Sequence, residues 1–266
     1  MIEVKNLSFS YSKDKVLDDI STTFEQGRIY GLLGANGVGK STMFKLLCGL
    51  LTTKQGTIDI DGCSPAGRKP SFLSKIYYVP EDFEGPDMTI RNYAAGVSQF
   101  YPNYDSILFA RLLSEFEIDA DRKFTSLSLG QRKRAILALA LSLKTDYLFL
   151  DEPTNGLDIP SKAEFRKMVA AAMDDNRTII ISTHQVRDVE NLLDHIMILD
   201  KQAVLLDKSV SEIQSEYLFD ISVNAPADAL YVEPGLGGCC SISKNNTGEE
   251  SRINIELLFN YINSKK

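Results

Sequence analysis

Apolar residues in the first eleven positions fall at Ile2, Val4, Leu7, Phe9 and Tyr11. This near-alternation predicts edge or hairpin strands over 2–11. Residues 28–33, RIYGLL, form a short apolar run that leads straight into glycines, which reads as a buried strand ending in a turn. Residues 41–51 take helical spacing, and 57–60 and 77–79 are further strand candidates. The stretch DMTIRNYAAGVSQFYPNYDSILFARLLSEFEI has helical spacing, several aromatics and no long β-branched run, so residues 87–125 are expected to be a mostly helical insertion. Ser128 then reads as the N-cap of a helix reaching about Lys144.

In the second half, residues 146–150 predict a strand, followed by Pro153 and a helix from about Pro160 to Asp174. TIIIST, residues 178–183, predicts a strongly buried strand. Residues 186–194 read as helical, and 196–200 with 203–207 as a hairpin. Strands alternating with helices imply a mainly parallel α/β sheet. Residues 209–266 look like an appendix. Ser209 and Glu212 have the spacing of a capping box, strand-like pieces follow near 219–223 and 229–233, glycines and polar residues fill 235–250, and 253–262 is again apolar.

With 266 residues the chain has room for one large domain or two small ones, and 44% hydrophobic with 24% charged residues place it among ordinary globular proteins. Lys and Arg total 29 against 36 Asp and Glu, a net charge of −7, so no nucleic-acid partner is expected. Cys48, Cys63, Cys239 and Cys240 form no C-x-x-C pair and only two histidines are present. Free thiols in a reducing cytosol are expected, without a zinc site. The longest apolar-rich run, residues 135–143, is far short of the ~20 residues a spanning helix needs, and the first residues lack a signal pattern. Action at a membrane would therefore require another chain to supply the spanning part.

Residues 34–41, GANGVGKS, fit the pattern G-x-x-x-x-G-K-S/T. Glycines such as Gly34, Gly37 and Gly39 let successive N–H groups turn inward on phosphate oxygens, and the following helix offers its positive end to the same anion. Lys40 is expected to reach the β- and γ-phosphates and Ser41 to ligate Mg²⁺, with Asn36 and Thr42 as further nucleotide contacts. A second constellation is DYLFLDE, residues 146–152, an apolar strand that delivers two carboxylates at its C-terminal end, where ligands sit in open α/β sheets. Asp151 suits the Mg²⁺ that bridges the phosphates, and Glu152 suits a water-activating base. A solvated acidic turn is the plainer account of the pair taken alone.

Between these two lies Leu127-Ser128-Leu129-Gly130-Gln131. This segment resembles the L-S-G-G-Q signature of the ATP-binding subunits of ABC (ATP-binding cassette) transporters. Further elements match that family in order. Tyr11 stands at its adenine-stacking position, Tyr78-Val79-Pro80-Glu81 looks like its Q-loop, Asn155-Gly156-Leu157-Asp158 like its D-loop, and His184 like its switch histidine. The resemblance covers about residues 1–208 and implies a P-loop NTPase. Its parts would be a RecA-like core sheet, an antiparallel β subdomain and a helical signature subdomain inserted at about 87–145, with a small α+β appendix over 209–266. It also implies that Ser128, Gly130 and Gln131 close on the γ-phosphate held by an opposite subunit, that Asp158 aligns the two subunits, and that Glu81 contacts Mg²⁺. Two departures stand out: Glu81 replaces the usual Gln, adding charge beside the acidic pair, and Leu129 replaces a Gly.

With one P-loop and one signature, the chain would need a second copy of itself or a similar ATPase subunit. The implied function is ATP hydrolysis that powers a separate transmembrane permease, in the direction of export, from the cytoplasmic face of the membrane. A soluble ABC-type remodelling ATPase and a module without turnover are the competing readings. Phe83, Tyr93, Phe100, Tyr101 and Tyr104 form either a contact for a permease helix or a small core of the insertion. His195 belongs to no motif and reads as structural.

Overall fold

A computed structural model describes residues 1–235 and 237–265. The chain opens with two antiparallel strands, β1 (Ile2–Tyr11) and β2 (Asp14–Phe24). The second is absent from the sequence prediction. Its alternation is interrupted at Asp18 and Asp19, where the ladder shifts register and Asp19 takes a left-handed φ of 51°. β3 (Ile29–Leu33) runs into the glycine loop and helix α1 (Lys40–Leu47). β4 (Gln55–Ile60) returns to β1, completing a three-stranded antiparallel sheet in the order β2-β1-β4.

Short helix α2 (Pro70–Leu73) and strand β5 (Ile76–Val79) precede the insertion, which consists of α3 (Ile90–Ser98) and α4 (Ser106–Glu115) and leads to α5 (Leu129–Ser142). Each helix starts where the sequence supplies a capping side chain: Thr89 accepts from Asn92 N, Asp105 from Leu108 N and Ser128 from Gln131 N. Then follow β6 (Tyr147–Asp151), α6 (Ile159–Ala171), β7 (Thr178–Thr183), β8 (His195–Asp200) and β9 (Ala203–Ser209). The main sheet has the order β5-β6-β7-β3-β8-β9 and is parallel except for the β8–β9 hairpin. The result is the mixed α/β architecture that the sequence implied.

The central strands are apolar at nearly every position because both faces of the sheet are covered. Successive residues go to opposite cores. Leu148, Leu150, Ile179, Ile181, Ile196 and Ile198 join α5 and α6 on one side. Tyr147, Phe149, Ile180, Met197 and Leu199 join α1 and the antiparallel sheet on the other. This double packing holds the C-terminal ends of β3, β6 and β7 side by side, and the candidate chemistry is carried there.

Residues 186–194 are not a helix. They contain one 3₁₀ turn, Val186–Asp188. The segment is held to β3, since Asp194 N donates to Ile29 O at 2.9 Å while its carboxylate accepts from Ile29 N at 2.8 Å. A helix extended to residue 194 would lose those bonds. The insertion aromatics mostly turn inward. Phe83, Tyr93 and Phe124 meet edge to face or tilted, Tyr101 packs on Tyr77 and donates to Ile76 O, and Tyr104 packs on Phe109. Of the five, Phe100 alone is largely exposed, at 69%.

After β9 come α7 (Val210–Glu216), β10 (Tyr217–Ser222), β11 (Tyr231–Gly235), β12 (Gly238–Lys244) and α8 (Ile255–Ser264). The three strands form a separate antiparallel sheet, β10-β12-β11. The capping box of Ser209 and Glu212 is present. β12, its central strand, lies in the stretch that reads only as glycine-rich and polar. The appendix shares its core with the main sheet through Ile213, Ile242, Ile255, Leu257 and Leu258. All four cysteines are free, and among the described residues no helix is long and apolar enough to cross a membrane.

Candidate active site

The loop after β3 bends through two left-handed glycines, Gly37 at φ +82° and Gly39 at φ +110°. Gly39 is the N-cap of α1 and provides no side-chain cap, so the first N–H groups of the helix are left for another acceptor. A Cβ on Gly39 would come within 2.9 Å of Leu17 and 3.0 Å of Val16. The unpredicted strand β2 therefore packs directly on the loop. Lys40 is buried and folds back on its own loop, donating to Gly34 O at 2.7 Å and Ala35 O at 3.1 Å, with Glu152 Oε1 at 3.3 Å.

Both carboxylates at the end of β6 are buried, and neighbouring strands supply their donors. Asp151 accepts from the hydroxyls of Tyr78, at 2.9 Å, and Ser182. Burial, reinforced by the Asp151 charge, pushes the Tyr78 phenol far above its ordinary value, so it stays a donor. Glu152 accepts from Thr183 Oγ1 at 3.0 Å and His184 N at 3.0 Å, and its Oε1 lies 2.9 Å from His184 Nδ1. Its backbone is left-handed, at φ +44°, which turns the chain sharply out of the sheet. Glu81 accepts from Asn155 Nδ2 at 2.8 Å.

One open cleft of about 340 Å³ is lined by Tyr11, Asn36, Gly37, Gly39, Lys40, Ser41, Thr42, Glu81 and Glu152, together with Val16. Gly34, Asp151 and His184 are not in the lining but touch or adjoin it: Gly34 binds Lys40, His184 binds Glu152, and Asp151 precedes Glu152. Tyr11 is 45% exposed and meets Phe9 edge-on. Ser128, Gly130, Gln131 and Asp158 do not line this cleft. Ser128 and Gln131 form a reciprocal capping box at the start of α5, Leu129 packs over Gly156, and Asp158 caps α6 by accepting from Ser161 N at 2.9 Å. His195 is tied to Asp207 at 2.7 Å and lies against Tyr30, a packed structural position.

Among the described residues no cluster of three or more His, Cys, Asp or Glu could cage a metal ion. Ser41 and Glu81 line the cleft and Asp151 adjoins it; a hydroxyl and carboxylates are the oxygen donors that suit Mg²⁺, which typically takes one or two protein oxygens and completes its shell with phosphate and water. Several functional positions escape the sequence reading. Ser182 and Thr183 had a signal, two hydroxyls at the end of an otherwise apolar strand beside His184. Lys133 had none, because its partners Glu152 and Asn155 come from a distant segment, and Asn155, noted only within the D-loop match, gave no sign of its bond to Glu81.

A family model described as ABC transporter matches residues 17–155. The chain is 31% identical over 231 residues to the ABC transporter ATP-binding protein YtrB of Bacillus subtilis, covering 84% of this chain and 79% of YtrB. It is 28% identical over 241 residues to the Nod factor export ATP-binding protein I of Cupriavidus metallidurans, covering 87% and 77% of the two chains. A solved structure of the ATP-binding subunit of an ABC transporter superposes with a TM-score of 0.72 at 26% identity, over 80% of this chain and 91% of that one.

Proposed function

The chain belongs to the ABC transporter family as an ATP-binding subunit that hydrolyses ATP to drive transport, and on that premise we propose how its residues divide the work. Tyr11 stacks on the adenine. The backbone of residues 34–39, the start of α1, Asn36 and Thr42 take the phosphates. Lys40 Nζ holds two neutral carbonyls of its own loop. An anionic phosphate oxygen is a stronger acceptor, so Lys40 can turn to it without movement of the backbone. Mg²⁺, when bound, neutralises charge between the β- and γ-phosphates, and Ser41, Asp151 and Glu81 would hold it.

Glu152 is the general base and receives the proton of the attacking water on a carboxylate oxygen. Thr183, His184 and Lys40 surround that carboxylate, which fixes its direction. The His184 imidazole, already against Glu152 Oε1, orients the base and senses the γ-phosphate. The observation that carries this reading is the single cleft joining the glycine loop, Tyr11, Glu81 and Glu152.

Ser128, Gly130, Gln131 and Asp158 act across an interface with a second copy or a similar subunit, whose nucleotide they close upon. ATP then favours the closed pair and hydrolysis releases it, and the difference in affinity is the free energy passed on. Residues 1–208 form this motor. A membrane-spanning permease is the receiver, met at the cytoplasmic face of the membrane. Export is the direction favoured, because a relative that aligns with 87% of this chain carries that word in its name. The test is Glu152→Gln. It should bind ATP as the wild type does, lose about 10²–10⁴-fold in turnover and accumulate as a dimer in light scattering. Normal turnover by this variant would remove Glu152 from the mechanism. Copurification of the chain with a multi-span membrane protein tests the permease.

A further inference from the structure

Glu152 begins a turn that leaves β6 in a left-handed conformation. Two carbonyls of that turn, Glu152 O and Asn155 O, accept from one side chain, Lys133 Nζ, at 3.2 and 2.8 Å. Lys133 is half-buried on α5, the helix that starts with the Ser128–Gln131 capping box. Asn155 in turn donates its amide to Glu81. The signature helix, the catalytic turn and Glu81 are thus one continuous chain of hydrogen bonds.

Charge is also shared along this chain. Burial pulls the Lys133 ammonium below its ordinary value, while the carboxylates of Glu81, Asp82, Glu152 and Asp151 pull it back up, Glu81 most strongly. Lys40 lines the cleft, and Lys133, outside the lining, reaches its residues through the carbonyl of Glu152 and through Asn155.

We propose that Lys133 is a positioning residue for hydrolysis. It fixes the turn that presents Glu152 and, through Asn155, ties that turn to Glu81. This role rests on the reading of Glu152 as the base. It also links the two sites of a dimer. α5 offers its first turn to one nucleotide and, through Lys133, holds the base that takes the proton of the water attacking the other.

The test compares ATP turnover by the full chain as wild type, Lys133→Met, Lys133→Arg, Glu81→Gln and the double variant Glu81→Gln/Lys133→Met, with Glu152→Gln as reference. Lys133→Met should lower kcat about tenfold, the worth of a charge-assisted hydrogen bond, with KM for ATP within about twofold of wild type, because a group that acts only on the base leaves binding unchanged. Lys133→Arg should restore most of the loss. The double variant should lose less than the product of the single losses, because Lys133, Asn155 and Glu81 belong to one hydrogen-bonded chain and members of one network do not act independently. Lys133→Gln makes the same comparison if the methionine variant does not fold. Wild-type kcat in Lys133→Met beside an inactive Glu152→Gln overturns the role of Lys133 alone. So does an arginine variant as slow as the methionine one, or strict multiplicativity in the double variant. Normal turnover by Glu152→Gln overturns the base and this role with it.

Discussion

The two regions to which the sequence assigns phosphate contacts are built in opposite ways. At the cleft, Lys40, Asp151 and Glu152 are all less than a tenth exposed; Lys40 donates to a carbonyl of the loop after β3, and donors from β5, β7 and the residue after β7 meet the two carboxylates. At the signature turn, Ser128 is exposed, Leu129 is 51% exposed, and Ile159 next to Asp158 is 83% exposed. The side chains of Ser128, Gln131 and Asp158 are engaged by short-range caps within their own helices. A buried site can hold a charge in a fixed place because its desolvation is offset by fixed partners. An exposed turn that carries apolar side chains outward is suited to a surface that another protein covers. On the proposed function, the cleft is the half-site organised within the chain, and the signature ridge is the half-site that a second subunit completes.

Lys40→Ala tests the first half most severely, because it should impair binding and stability together. ATP affinity, read by calorimetry, should fall at least about 30-fold, as expected when one partner of a buried charged contact is truncated. The folded chain should also lose about 3 kcal/mol, because Glu152 keeps a buried charge with one fewer cation beside it. Thermal denaturation checks this. Unchanged affinity would remove Lys40 from the phosphate site.

Gly130→Asp separates the two halves. A Cβ on Gly130 meets nothing closer than Leu157 Cδ2 at 3.9 Å, and an acidic residue in the first turn of a helix is favourable. The variant should fold at least as well as wild type, and the monomer should keep its ATP affinity. Turnover should nevertheless fall about 100-fold, because a carboxylate then faces the phosphate that this turn is to close upon. Wild-type turnover would show that the signature turn contacts no nucleotide.

The same contrast explains what was legible in the sequence. The P-loop, the acidic pair and the signature are contiguous segments, so their spacing carries their chemistry, and the central strands announce themselves by being apolar on both faces. The features that the sequence conceals depend on tertiary partners. β2 is interrupted by Asp18 and Asp19 and becomes a strand through pairing with β1. β12 carries Ser241 and Ser243 inward between two partner strands, where a single-sequence pattern reads a polar loop. The helical spacing at 186–194 is overridden by bonds from Asp194 to Ile29. Four of the five insertion aromatics pack into the insertion and its neighbours, and nothing in their spacing distinguishes them from exposed Phe100. Lys133 lies in the run Arg132-Lys133-Arg134, which as a sequence is indistinguishable from a solvated helix face. Only the fold brings it to the carbonyls of Glu152 and Asn155.

Ser128→Ala gives the smallest effect of the series and the finest test of the comparison, because this residue serves both functions at once. Its Oγ accepts from Gln131 N at 3.2 Å, which uses a lone pair and leaves the hydroxyl proton free to be donated outward. The alanine variant should therefore lose the cap, about 1 kcal/mol, seen as a melting temperature lower by about 2–4 °C in a chain of this size. It should separately lose a hydrogen bond to the opposed nucleotide, seen as a fall in kcat of about tenfold. Ser128→Asp divides the two roles. Aspartate is as good a cap as serine, so the melting temperature should return to the wild-type value, while its negative charge should hold turnover below that of the alanine variant. If the aspartate variant recovers both stability and turnover, Ser128 is a helix cap and nothing more, and the exposed ridge loses its claim on the phosphate.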